Sequence, residues 1–283
     1  MARRRFSTPY QKEPVSALAS WAWRLAVFSL AATPVSILVV RFGFLDFKPA
    51  LAAFFGAIAI AGLSIVVSFA AFAAIWQNGS RGMTRILMAL LLSALILAYP
   101  AYLAYNYKTL PQIHDITTDP IDPPRFDALA RLRIGEGVNS PAYAGLYSAE
   151  LQRAAYPDIE PIILDVSPQK AYDILLQLVT RRKWLIIDER PPQPPQRIGR
   201  IEAVARTPIM GFREDVSIRI IQYDQGSRVD IRSASRYFAH DFGSNAARIA
   251  KLIDDLNEMI DNAKPEKKIL APVTPQPPKG TKR

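Results

Sequence analysis

Apolar and polar positions split the chain into two regimes. Ala17 to Val40, Pro49 to Trp76 and Ile86 to Tyr105 are long apolar runs; the first holds one charge, Arg24, and the others hold none. A helix needs about 20 apolar residues to cross roughly 30 Å of hydrocarbon. Each run therefore predicts a membrane span, and the second is long enough to tilt. Trp21, Trp23, Trp76, Tyr99, Tyr102, Tyr105 and Tyr107 mark the ends of the runs, as expected of rings that favour the membrane interface.

Beyond Tyr107 the pattern becomes that of a folded polar domain. His114 to Pro124 (HDITTDPIDPP) is broken by prolines and reads as a solvated linker. Short helices and loops follow over 125–159, with tyrosines at 143, 147 and 156. Pro161–Val166 is a short apolar strand. Ser167 and Pro168 form an N-cap and first-turn proline. Ala171, Ile174, Leu175, Leu178 and Val179 then recur at helical spacing, and Arg181, Arg182 and Lys183 close the helix at its negative end. Trp184–Asp188 is a further strand, and PPQPPQ at 191–196 a proline-rich connection. Arg200–Arg206, Asp215–Gln222 and Arg228–Ser235 alternate apolar with polar residues, as half-buried antiparallel strands do. Asp224–Ser227 is a hairpin turn. Ile249, Leu252, Ile253, Leu256 and Ile260 stripe a long closing helix.

The predicted fold class is α+β: three N-terminal transmembrane helices, then an antiparallel sheet with two packing helices in the order β-α-β-β-β-β-α. The expected divisions are a basic cytoplasmic arm (1–16), a transmembrane region (17–107), a linker with short helices (108–159), an extracytoplasmic domain (160–263) and a disordered Pro/Lys-rich tail (264–283).

The net charge of +10 suggests nucleic acid until it is mapped along the chain. Residues 1–40 carry +4, 41–107 carry +3 and 264–283 carry +5, whereas 164–263 carry only +1. A nucleic-acid binder concentrates charge on its folded domain, so no nucleic-acid partner is expected. Orientation follows from the basic residues near the spans. Seven (Arg3, Arg4, Arg5, Lys12, Arg24, Arg81 and Arg85) flank the N-terminal side and the second loop, against Arg41, Lys48 and Lys108 opposite. This bias places the N-terminus in the cytoplasm and the C-terminal domain in the periplasm of a plasma (inner) membrane. Reading the first span as a signal peptide leaves the domain on the same side.

Smaller features are read conservatively. Arg24 lies two turns into its span and can snorkel to the headgroups; Pro34 is tolerable as a kink. Ala53, Ala57 and Ala61 are small residues at four-residue spacing that can seat another helix. His114, Asp115, Asp119 and Asp122 offer metal-compatible atoms with nothing to fix their geometry. With no Cys and two His in the chain, no thiolate site and no cofactor are expected.

Alternation assigns Val216, Ile218, Ile220, Val229 and Ile231, with Ser233 and Ser235, to one sheet face. Ser217, Arg219, Asp230, Arg232 and Arg236 take the other, with Glu202 and Arg206 alongside. The charged face reads either as a solvated ladder of self-paired charges or as an anion grip. In the second reading Arg232 and Arg236, with Arg219 nearby, join the start of the closing helix at Asp241, Gly243 and Asn245, where backbone N–H groups await an anion. The candidate ligand-binding residues are thus Arg219, Asp230, Arg232, Ser233, Ser235, Arg236, Asp241 and Asn245. Ser233, Ser235, His240 and Asp241 invite a hydrolase reading, but there is no G-x-S-x-G elbow, and adjacent His and Asp do not line up as base and orienter. No enzyme is expected.

GRIEAVARTPIMGFREDVSIRI (199–220), SRVDIRSASR (227–236) and DFGSNAARI (241–249), with NSPAYAGLYSAELQRAAYPDIEP (139–161), resemble the bacterial family designated domain of unknown function 1499 (DUF1499) over roughly 115–260. The sequence departs from that pattern at Pro208–Met210, where aromatic residues are expected, and at Tyr237–His240, where small and polar ones are. The resemblance implies a membrane-anchored domain and no particular activity. The element order also looks like a reduced helix-grip fold, a shape used for lipids and small molecules, which is analogy alone. The expected function is an extracytoplasmic, non-enzymatic domain that binds a lipid or anionic envelope metabolite. The alternative is an interaction subunit of an envelope complex whose partners are proteins.

Overall fold

The computed structural model describes residues 14–44, 47–194 and 197–263. Most of the expected basic arm, the end of the proline-rich connection and the expected disordered tail at 264–283 lie outside the described residues.

Three long helices come first: α1 (Ala17–Phe42), α2 (Phe47–Asn78) and α3 (Met83–Thr109). All three are long and apolar enough to cross a membrane. They pack through small residues. Ala19, Ala22 and Ala26 of α1 are buried against Ala71 of α2 and Ile86 and Ala89 of α3, and Ala57 and Ala61 of α2 are buried as well. The Ser29 hydroxyl donates to the Ala57 carbonyl at 2.7 Å, and the Ser64 hydroxyl to the Ala22 carbonyl at 2.9 Å. Such bonds suit an apolar surrounding, where an unmet hydroxyl is costly. The small-residue register differs from the expected one: Ala57 and Ala61 are buried, but Ala53 is exposed and Ala50 and Phe54 take its place. Phe28, Val35, Phe55, Val66, Phe69, Leu91 and Leu95 face outward, as lipid-facing positions do.

The remaining chain forms β1 (Asp115–Thr117), a short 3₁₀ turn (Leu129–Leu132), α4 (Leu146–Ala155), β2 (Ile162–Leu164), α5 (Pro168–Arg181), β3 (Leu185–Arg190), β4 (Gly199–Arg206), β5 (Arg213–Tyr223), β6 (Gly226–Ser235) and α6 (Ser244–Ala263). The sheet is antiparallel in the order β1-β6-β5-β4-β3, with β2 also paired to β6. The predicted α+β class and both packing helices are present. Ser167 caps α5 through the Lys170 N–H, with Pro168 in the first turn. Asp224 and Gln225 turn the β5–β6 hairpin, with Tyr223 opposite Gly226. Helices α5 and α6 cover one sheet face, where Leu175, Leu178, Leu252 and Leu256 meet Ile201, Ile218, Ile220 and Ile231.

The opposite face overturns one expectation. Residues 114–124 are not a solvated linker. Asp115, Ile116 and Thr117 pair with Ala234, Ser233 and Arg232, which makes β1 an edge strand. Gln152 of α4 then acts on β1 as a further strand would: its Oε1 accepts from the Thr117 N–H at 3.1 Å and its Nε2 donates to the Thr117 carbonyl at 2.6 Å. From β1 the chain returns across the sheet, and Phe126 and Leu129 pack on Val204 and Ala234. A segment read as linker is therefore the second cover of the sheet.

Candidate functional site

The charged sheet face lies beneath that cover and is buried, not solvated. Arg232 is 2 % exposed. Its Nε and Nη2 donate to the two oxygens of Asp115 at 2.9 and 2.6 Å, and Nη1 and Nη2 donate to the carbonyls of Pro124 and Pro141. Its guanidinium also stacks over Phe126, 4.4 Å from the ring centre. Asp215 accepts from Arg133 Nε at 2.7 Å and from Arg236 Nε at 2.8 Å. Arg219 and Arg228 share Asp230, and reach Asp122 and Asp119 of the cover. Arg200 binds Asp127. Glu202 accepts the N–H groups of Asp127 and Leu129, both at 2.8 Å; burial nonetheless raises its pKa. Burial also pushes Tyr143, beside Arg232, up to about 12, with the Asp115 charge adding to it.

Arg219, Asp230, Arg232 and Arg236 do share a face, but their charges are met from within the chain. They staple the cover to the sheet, because a buried guanidinium without a carboxylate is strongly unfavourable.

The remaining candidates lie on the other side of the sheet, under the start of α6. Ser233 Oγ donates to Asn245 Oδ1 at 2.8 Å; Asn245 Nδ2 donates to Ser235 Oγ at 2.9 Å and to the His114 carbonyl at 3.1 Å. Glu214, missed in the sequence, accepts from Ser235 Oγ at 3.0 Å and Ser244 Oγ at 2.6 Å and pairs with Arg248. The helix start holds an anion already, and it is Asp241. Its Oδ1 accepts from the Gly243 N–H at 2.9 Å and its Oδ2 from the Asn245 N–H at 3.0 Å. Burial raises the Asp241 pKa against those two bonds, with Glu214 adding repulsion. His240 Nδ1 accepts from the Phe242 N–H at 2.8 Å, which puts the ring proton on Nε2, 3.3 Å from the Leu110 carbonyl. Thus Arg232 and Arg236 do not meet Asp241 and Asn245; the sheet separates them.

Arg232 and Tyr143 border an open pocket at the cover, and a separate, apolar cleft lies where the domain meets α3. This cleft, of about 280 Å³, is lined on one side by Tyr99, Tyr102 and Leu103, and on the other by Ile209, Phe212, Phe238 and Ala247. Of the predicted residues, Ser235 and Asp241 border it, with Glu214 and Ser244. Its walls are held in place by contacts between helices and domain. Tyr107 packs on His240, their ring centres 5.2 Å apart; Asn106 Nδ2 donates to the Phe242 carbonyl at 3.2 Å. Gly243 has φ +83°, and a Cβ there would lie 2.9 Å from Leu110 Cδ1, so the α6 start approaches the end of α3 through a glycine. The sequence signals for this cleft are the aromatic ends of the third apolar run and the departures from the family pattern at Pro208–Met210 and Tyr237–His240, which contribute to its lining.

No curated protein matches the chain. A family model described as protein of unknown function (DUF1499) matches residues 115–256. That match begins at β1, inside the segment first read as linker, and ends in α6. It spans the sheet, both covers and the polar cluster under α6, and the chain belongs to the DUF1499 family.

Proposed function

We propose that this chain is a multi-pass protein of the plasma (inner) membrane whose periplasmic domain binds a membrane lipid without transforming it. The lipid lies in the cleft between α3 and the domain. The observation that carries this reading is the position of that cleft: apolar, aromatic-walled, and opening at the end of a helix apolar enough to span a membrane. Ligand sites are concave and mostly apolar with a few polar groups. Here Glu214, Ser235, Asp241 and Ser244 provide those groups. The orientation rests on the basic-residue bias, seven against three, around the spans.

Lipid retention tests the reading. Full-length protein extracted in mild detergent is expected to carry lipid in native mass spectra. Ala247→Trp, at an exposed position on the cleft wall, is expected to lose it while keeping its melting temperature. Wild-type protein free of lipid would instead favour an interaction subunit of an envelope complex. A reporter fused after Ala263 is expected to be active only outside the cytoplasm.

A further inference from the structure

Three arginines meet where the first apolar helix ends. Arg41 lies in the last turn of α1, Arg206 ends β4 and Arg213 begins β5. With Phe212 and Tyr237 they line a second cleft of about 330 Å³. We infer that this cleft binds the phosphate-bearing headgroup of an anionic lipid whose acyl part occupies the cleft beside α3; the inference rests on the lipid-binding reading above.

Charge placement carries it. Arg206 and Arg213 stand directly opposite each other in the β4–β5 register, and like charges so placed destabilise a sheet. Elsewhere on this face Arg133, Arg200, Arg219, Arg228, Arg232 and Arg236 each hold a carboxylate. Among the described residues no carboxylate pairs with Arg41, Arg206 or Arg213. Two of them are instead fixed by backbone: Arg206 Nη1 donates to the Arg41 carbonyl at 2.9 Å, and Arg41 Nη1 donates to the Pro208 carbonyl at 2.8 Å and the Ile209 carbonyl at 3.3 Å. Those bonds orient guanidinium groups without neutralising them. Gly211 permits the approach. Its φ is +71°, and a Cβ there would lie 2.8 Å from Arg41 Cγ.

An anion offsets such a cluster, and guanidinium forks match phosphate oxygens in pairs. Position selects a lipid phosphate. Phe212, Arg213 and Tyr237 border both clefts, so the positive one adjoins the apolar one as a headgroup adjoins its chains. The site also lies at the end of a span, at headgroup depth. Its volume falls at the low end of small-ligand sites, which suits a compact headgroup such as phosphoglycerol.

The test uses full-length protein in detergent offered equal phosphatidylglycerol and phosphatidylcholine, with bound lipid read by native mass spectrometry. Wild type is expected to prefer phosphatidylglycerol. Arg206→Gln with Arg213→Gln is expected to lower that preference roughly 10- to 30-fold while still retaining phosphatidylcholine. Removing the opposed charges should leave the melting temperature unchanged or higher, whereas loss of a purely structural pair would lower it. Arg206→Lys with Arg213→Lys keeps the charge but not the forks, and is expected to keep part of the preference. An unchanged preference in the Gln variant overturns the inference and leaves the lipid-binding reading standing. Wild-type protein that retains neither lipid overturns both. Inorganic phosphate alone stabilising wild type, but not the Gln variant, as strongly as phosphatidylglycerol does would assign the cleft to free phosphate and overturn the lipid headgroup.

Discussion

Asp115→Ala isolates the energetic claim about the covered sheet face. Asp115 and Arg232 form a two-pronged pair with side chains 1 % and 3 % exposed. Removing one partner of a buried pair costs about 3–5 kcal/mol, chiefly because the other charge stays buried. Arg232 would keep the Pro124 and Pro141 carbonyls and the Phe126 ring, which places the expected cost near the lower end, about 3 kcal/mol. For a folded unit of 150 or more residues each kcal/mol moves the melting temperature by about 2–4 °C. The variant should therefore melt roughly 6–12 °C below wild type. The assay is thermal unfolding of the full chain in detergent, followed by circular dichroism. Asp115→Leu combined with Arg232→Met should recover most of the loss, since an apolar pair of similar volume replaces a buried ion pair at little cost. A loss within about 0.5 kcal/mol of zero for Asp115→Ala is the value of an exposed pair. It would mean that the cover does not exclude water and that the solvated ladder was right.

Two further predictions concern pH and docking. Burial lowers the pKa of His114, with Arg133 and Arg232 also lowering it and Asp115 opposing them. A depressed histidine contributes stability that is present above its ordinary value near 6.5 and lost as pH falls through the folded-state value. Melting temperature should thus fall on acidification below about pH 6.5, and His114→Gln should flatten part of that slope. Asp241, whose pKa is raised, works in the opposite sense, losing its contribution as pH rises through its folded-state value, so comparison with the His114 variant separates the two. Gly211→Ala places a side chain at φ +71° against Arg41. It should cost more than about 1 kcal/mol and speed amide hydrogen exchange over residues 207–212.

The parts legible in the sequence were those whose cause is local. The spans follow from length and apolarity, α5 from its Ser-Pro cap and apolar face, and β4 to β6 from strict alternation. What was not legible depends on distant partners. Asp-Ile-Thr at 115–117 has little to mark it as a strand among prolines; it is a strand because the edge of β6 and the amide of Gln152 complete its hydrogen bonds. Arg232 looked available because its carboxylate lies 117 residues away. The start of α6 looked open to a ligand although Asp241 stands within reach of its N–H groups, a capping pattern that D-x-G-x-N displays and that outweighed the anion reading. The cleft beside α3 is assembled from three separate stretches, around 99–103, 207–214 and 235–247, and no single stretch announces it.

Photocrosslinking tests most directly whether the ligand site faces the bilayer at the junction of helix and domain. Full-length protein would be reconstituted with a phospholipid bearing a diazirine on its acyl chain, irradiated and mapped by peptide mass spectrometry. Adducts are expected on Tyr102 and Leu103 together with the domain loops at Ile209 and Phe238, and Ala247→Trp should abolish those on the loops. Adducts confined to outward-facing positions such as Phe28, Phe69 and Leu91, with none on the domain, would contradict the account.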